Sequence, residues 1–268
     1  MADWIEHGAG VFSRRYPFLD LNIGLVICGE GALIVDTRSH YREARQLQDE
    51  VRSLTPFPVR WVVNTHHHWD HTLGNTIFLP VPIWGHRRCA EALLSHGERM
   101  RHEVQAWAGD DEGLFAEVAI TPPDHTFDAG ADLALEGRAV ELRHLGRAHT
   151  DNDIVVRIPD AGVLFAGDLI EEGAPPSFDD SFPLEWPDAL SRLLTLVTGP
   201  VIPGHGATVG AAFVAAQQRA LARVAELALE RHAAGMTVPH AAAAGGPFPV
   251  EVMRTAFARV WPALETAG

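Results

Sequence analysis

The stretch Asn64–His71, "NTHHHWDH", places four histidines and an aspartate within eight residues. Imidazole and carboxylate at that density mean either a polar surface loop or a set of metal ligands, and the spacing favours metal. In an extended or tightly turning segment His66 and His68 point to one side and can share an ion, while Asp70 and His71 lie just past them and can ligate a second. Chance would give the pattern in roughly a few chains per thousand of such composition. Two ions need further donors, and the chain offers them. His149 lies in "GRAHTDND", between two strand signals. Asp168 ends the apolar run "VLFAGD", where a buried carboxylate needs a partner such as a metal. His205 in "VIPGHG" follows another apolar run, with glycines that allow close backbone approach. Nitrogen and oxygen donors together suit zinc, with iron or manganese as alternatives. His67, between two candidate ligands, is expected to point the other way, into hydrogen bonds behind the site.

Strands must deliver these residues. "LNIGLVICGEGALIVDT" reads as a β-hairpin turning at Gly29-Glu30-Gly31, and "RSHYREARQLQDEVRSLT" as a helix with Tyr41, Ala44, Leu47 and Val51 on one stripe. "VRWVVNTH" is a short buried strand ending at the histidine cluster. A helix is expected over "AEALLSHGERMRHEVQAWA", then a loop excursion from "GDDEGLF" to "PPDHTF". Strand signals return at "AVELRHLG", "DIVVRIP" and "GVLFAGD". The helix "DALSRLLTLV" leads to "GPVIPGHG", and the remainder is mostly helical, with "VPHAAAAGGPFP" as a separator. Two strand-rich halves meet near residue 130. The reading is one domain over 1–268, with 209–268 a helical C-terminal extension packed on it.

Composition excludes several functions. The chain has 268 residues, 47% hydrophobic and 21% charged, as an ordinary globular protein has. Its 21 basic residues are all arginine, which removes Schiff-base and P-loop lysine chemistry. A net charge of −14 without a basic tract argues against nucleic acid as a partner. No apolar run is long enough to span a membrane, and the N-terminus does not read as a signal peptide. Cys28 and Cys89 are too few for a disulfide framework, so a cytoplasmic location is expected. The C-terminal helices are compatible with a monomer or a homodimer.

In the order "ALIVDT", "THHHWDH", "GRAHTDND", "LFAGD" and "VIPGHG", the sequence resembles the metallo-β-lactamase superfamily from about residue 20 to 210. The resemblance implies an α+β fold, a four-layer αβ/βα sandwich with C-terminal helices and a dinuclear metal site along one edge. It implies that His66, His68 and His149 hold the first ion, that Asp70, His71 and His205 hold the second, and that Asp168 bridges them. Asp36 then buttresses the site from behind. The flap-like segment "RRYPFLDLN" is expected to line a substrate pocket, with Tyr16 and Phe18 against an apolar substrate and Arg14 or Arg15 against an acidic one.

The chemistry implied is hydrolysis of an ester-, thioester- or lactone-type carbonyl by a metal-bridging hydroxide that Asp70 orients. A bridging aspartate resembles glyoxalase II, lactonases and related thioesterases. A β-lactam hydrolase is an alternative, although Glu171 and Glu172 stand where a carboxylate-gripping cation would be wanted. A persulfide dioxygenase using one iron would leave Asp70, His71 and His205 without a purpose. A non-catalytic metal-binding protein would not be expected to keep all seven positions. The expected partner is a small-molecule substrate.

Overall fold

The computed structural model describes residues 4–108 and 113–265. In chain order the elements are β1 (Ile5–Gly8), β2 (Val11–Arg15), β3 (Asn22–Cys28), β4 (Gly31–Val35), α1 (Tyr41–Leu54) and β5 (Val59–Val63). Next come the four-residue helix α2 (Trp69–Thr72), β6 (Ile83–His86), α3 (Arg87–Ala108), β7 (His125–Phe127), β8 (Gly130–Leu135) and β9 (Arg138–His144). They are followed by β10 (Ile154–Ile158), β11 (Val163–Glu171), α4 (Trp186–Leu196), β12 (Val201–His205), α5 (Ala211–Ala233), α6 (Val238–Ala243) and α7 (Val250–Glu265).

The described strands form a seven-stranded sheet, β1-β2-β3-β4-β5-β6-β7, and a five-stranded sheet, β12-β11-β10-β9-β8. The first is antiparallel up to β4 and parallel from there, because α1 and α3 supply crossovers that tight turns cannot. The second is antiparallel except for β11 against β12, which α4 connects. The chain passes between sheets at Asp128-Ala129, close to the expected division near residue 130.

Strands covered on both faces read as unbroken apolar runs, and all nine residues of β11 are buried. Val26, Leu33, Val63, Leu142, Val156 and Phe165 fill the space between the sheets. Gly24 marks their closest approach, since a Cβ there would lie 2.5 Å from the Phe165 ring. On the outer face of the larger sheet Ala44, Leu47 and Val51 of α1 pack on Ile23, Leu25 and Ile34. On the outer face of the smaller sheet α4, α5 and α7 share one core with β11, built around Leu190, Leu221 and Phe257. The fold is therefore the four-layer sandwich expected. No helix among the described residues is long and apolar enough to cross a membrane.

The differences have local causes. The expected hairpin grows into a four-strand meander, because β1 and β2 pair ahead of it. The separator at 238–249 contains α6, which starts as Thr-Val-Pro: a hydroxyl residue at the cap position and proline in the first turn. Part of the expected excursion, residues 109–112, lies outside the described residues. From Gly113 the chain runs without regular structure to β7 and tucks Phe115 into the core.

His86, at the end of β6, stacks 4.3 Å from His144 of β9, and its Nδ1 accepts the Arg88 N–H at 3.1 Å. That acceptor must be unprotonated. Burial, reinforced by the charge of His144, holds the His86 pKa down at about 4. Between pH 6.5 and about 4 the unfolded chain therefore takes up a proton that the folded one refuses, and stability falls as pH falls. Urea unfolding of metal-free protein is expected to show this loss, and His86→Asn to flatten it by roughly 1–3 kcal/mol.

Candidate metal centre

The centre is assembled at one edge of the sandwich from the C-terminal ends of β4, β5, β11 and β12 and the loop before β10. After β5 the chain turns sharply into α2. Buried Asn64 holds that turn, its Nδ2 donating to the His71 carbonyl at 3.3 Å and to Asn75 Oδ1 at 3.0 Å. Asp36, just past β4, adopts a left-handed backbone (φ 66°) that aims its carboxylate back into the turn. It accepts hydrogen bonds from Thr65 N, Thr65 Oγ1 and His71 Nδ1, each at 2.8 Å. Asp36 thus sits behind the turn and ties Thr65 to His71.

Each of the five imidazoles meets a hydrogen-bond acceptor with one nitrogen and presents the other inward. His66 Nδ1 donates to Thr65 Oγ1 at 3.1 Å, itself a donor to Asp36. His149 Nδ1 donates to the Ser177 carbonyl at 3.3 Å, and His205 Nδ1 to the Leu19 carbonyl at 2.8 Å. His68 is anchored by Nε2, which reaches both oxygens of Asp180 at 3.2 Å. Outer partners of this kind fix the tautomer and aim of metal-binding histidines. The inner nitrogens then crowd together, with His149 Nε2 2.9 Å from His68 Nδ1 and His71 Nε2 3.4 Å from His205 Nε2.

The carboxylates lie among them. Asp168 Oδ2 is 3.6 Å from His66 Nε2, 3.5 Å from His149 Nε2 and 3.3 Å from His205 Nε2. Asp168 Oδ1 is 3.3 Å from His71 Nε2, and Asp70 Oδ2 is 3.3 Å from His205 Nε2. Among the described residues three groups have metal-binding spacing: His66, His68, His149 and Asp168; beside them Asp70, His71 and His205; and, less buried, His67, His68 and Asp180. All seven residues singled out in the sequence are thus brought together. Gly204 makes room for them, because a Cβ there would lie 1.8 Å from Asp168 Oδ1.

The arrangement demands positive charge. Burial opposes protonation of His205, yet the charge of Asp168, and contacts to Asp168 and Asp70, push its pKa up to about 12. Burial likewise opposes protonation of His71, but Asp168, Asp70 and Asp36 hold it well above the ordinary histidine value. At the same time His66 Nε2 and Asp168 Oδ1 are buried without a hydrogen-bond partner among the described residues. Inward lone pairs, orphaned buried donors and carboxylates at this spacing fit divalent ions.

A family model described as the metallo-beta-lactamase superfamily matches residues 17–217. The chain belongs to that superfamily. Among curated relatives, a type 2 metallo-beta-lactamase from Bacteroides fragilis is 28% identical over 57% of this chain and 59% of its own length. A linear primary-alkylsulfatase from Pseudomonas sp. (strain ATCC 19151) is 24% identical over 67% of this chain and 40% of its own. The chain thus spans about half the length of these relatives. Among solved structures, the inverting sec-alkylsulfatase Pisa1 from Pseudomonas sp. superposes with a TM-score of 0.78 at 19% identity, over 98% of this chain and 50% of that one. At that identity it shows the fold alone. The C-terminal part of α5, with α6 and α7, lies beyond the superfamily match.

The cluster opens into a cleft of about 870 Å³. Met100, Val104 and Trp107 of α3 form one wall, and Ser177, Asp179 and Asp180 the other. At the mouth Phe18 and Trp107, 43% and 62% exposed, make ring contacts with each other and with Trp69 at 5.8–6.3 Å. Of the flap segment it is Leu19 that lines the cleft, while Phe18 reaches only its rim through these ring contacts. Arg14 pairs in β2 with Ile23, which faces α1, so its side chain turns to that side and ion-pairs Glu50 at 2.9 Å. Tyr16 is buried there too, donating to Glu50 under the Arg38 guanidinium. Arg15 is tied to Asp20 and does not line the cleft.

Glu172 turns away as well, accepting from Ala207 N at 2.7 Å. Glu171 does line the cleft, and burial, helped by the negative charge of Asp168, raises its pKa to about 8. His67 does not turn wholly away as the sequence suggested: its Nδ1 is 3.0 Å from Asn152 Nδ2, but it lines the cleft and its Nε2 is 3.6 Å from Asp180 Oδ2. Asp180 and Trp69 were not singled out in the sequence. The doublet in "SFDDSF" was the one available signal for Asp180.

Removing the Asp36 carboxylate would leave Thr65 N and His71 Nδ1 buried without an acceptor. Asp36→Ala is expected to cost roughly 2–4 kcal/mol in urea unfolding of metal-free protein, and Asp36→Asn less.

Proposed function

We propose that the chain is a metal-dependent hydrolase that holds two divalent ions, zinc foremost, and cleaves an ester-, thioester- or lactone-type carbonyl. The carrying observation is the set of five imidazoles whose outer nitrogens are already engaged and whose inner ones face the Asp168 and Asp70 carboxylates. His66, His68 and His149 would hold one ion, Asp70, His71 and His205 the other, with Asp168 between them. Such ions would lower the pKa of water to about 7 and polarise the substrate carbonyl. Asp70 borders the cleft, and its carboxylate would orient the attacking water and accept its proton. The α3 wall and the loop opposite would limit the access of bulk water to the reacting atoms.

The cleft also bears on the substrate. Six carboxylates line it, and the single arginine doing so among the described residues, Arg99, lies 3.7 Å from Glu103. Away from the ions, the six carboxylates outweigh that one cation, which counts against β-lactams and their carboxylate. Trp69, Met100, Val104 and Trp107 offer an apolar bed, which suits an uncharged acyl or alkyl arm. Sulfate esters with such an arm, their anionic head at the ions, are a second reading, favoured by the alkylsulfatase relative.

Elemental analysis of protein purified without added metal is expected to give about two zinc per chain. The same sample is expected to turn over uncharged alkyl esters, thioesters or lactones faster than β-lactams. Preferential cleavage of primary alkyl sulfates would transfer the reading to sulfate esters. One iron per chain with oxygen uptake and no hydrolysis would replace it by a dioxygenase, and a metal-loaded protein inert toward every class would leave a binding protein. His205→Ala is expected to lose about one equivalent of metal and to lower kcat roughly 10²-fold or more.

A further inference from the structure

The C-terminal helices reach the metal centre through one loop. Between β11 and α4 the chain passes over the cleft at residues 177–182, and there it anchors two of the three first-ion histidines. The Ser177 carbonyl accepts from His149 Nδ1 at 3.3 Å, and the Asp180 carboxylate accepts from His68 Nε2 at 3.2 Å. The loop makes few regular backbone hydrogen bonds of its own. Phe182 N donates to the Ala148 carbonyl at 2.7 Å, and Ser177 N to Glu171 at 3.1 Å. Between these two ties Ser181 N and Oγ close a turn on the Phe178 carbonyl at 3.3 and 3.1 Å, and the stretch is gripped in addition from α7. Arg259 donates from Nη2 to the Asp180 carbonyl at 3.0 Å and from Nε to the Ser181 carbonyl at 3.1 Å. Phe248, just before α7, packs at 6.1 Å on Phe178.

We propose that Arg259 is a positioning residue for the first metal ion: by gripping the backbone of Asp180 and Ser181 it sets the carboxylate that aims His68. The inference rests on the two-ion reading above. It gives the helices beyond the superfamily match a role at the centre, in addition to covering the smaller sheet. An arginine suits the task, because its planar fork can reach two successive carbonyls at once while an ammonium can grip only one firmly. The effect should be selective. Neither Arg259 nor the loop contacts His71, and His205 is anchored from Leu19 on the opposite side.

The test is zinc affinity, measured by competition with a chromogenic chelator, on the whole chain and on Arg259→Ala, Arg259→Lys, Asp180→Asn and the double variant Arg259→Ala/Asp180→Asn. The expected result is two zinc equivalents in the parent. One of them should be weakened about tenfold by Arg259→Ala and 10–100-fold by Asp180→Asn, with partial recovery in Arg259→Lys. The double variant should be no weaker than Asp180→Asn alone, because both act through one carboxylate. Equal weakening of both equivalents together with a lowered metal-free Tm, additive effects in the double variant, or unchanged zinc affinity in Arg259→Ala would each overturn the proposal. Zinc binding is read without any substrate. A chain that shows this selectivity but hydrolyses nothing would keep the inference and lose the hydrolase. A hydrolase whose zinc affinity ignores Arg259 would do the reverse.

Discussion

Asp168 is the constraint around which the rest is arranged: a buried carboxylate whose two oxygens face four imidazole nitrogens, with no hydrogen-bond donor reaching Oδ1 among the described residues. Burying such a group without compensation would cost several kcal/mol. Everything near it supplies compensation or makes room. Gly204 yields the space for the carboxylate, and the covered length of β11 carries it to the sheet edge. Thr65, Asp36, Ser177 and Leu19 then determine which nitrogen each surrounding ring turns toward it, and Asp180 does the same for His68 alongside. The seven inner groups are less a list of ligands than the visible end of a second layer of hydrogen-bond acceptors.

That second layer explains why the elements are where they are. Asp36 reaches the turn after β5 because β4 and β5 are parallel neighbours, which places both C-terminal ends at the same edge. Asp168 and His205 meet for the same reason, across the parallel pair β11 and β12. The two parallel junctions lie in different sheets, and the packing of Val63 with Phe165 and Ile202 brings the edges together. Functional groups gather where strands end in parallel because the connecting loops there are free of the ladder and face one way.

Much of this was legible in the sequence, and what was not shares one cause. The seven inner residues could be found because each sits in a short motif at the end of an apolar run, a local signal. The hairpin, α1, α3 and α4 were likewise marked by their own periodicity. Arg14 was misplaced because the face a strand residue takes depends on pairing, here against Ile23, and Tyr16, just past β2, because its hydroxyl is drawn to Glu50 of α1, both non-local effects. Asp180 was missed because its aim is settled by Arg259, far along the chain. The strand β8 escaped notice because its pattern is short, with Leu133 and Leu135 buried and Gly130 and Ala134 among the exposed positions giving little polar contrast.

The inner residues are divided between the two sheets: His66, His68, Asp70 and His71 follow β5, while His149, Asp168 and His205 belong to the other half of the chain. Neither half holds a complete ion site. An ion bound here would act as a rivet between halves that are otherwise joined covalently only through Asp128-Ala129, closing a very long loop with a bond that can be made and unmade. Metal supply would then govern how long the protein lasts as well as what it does: a chain starved of metal would be one whose sheets part most readily along that edge, exposing its interior to proteases there first.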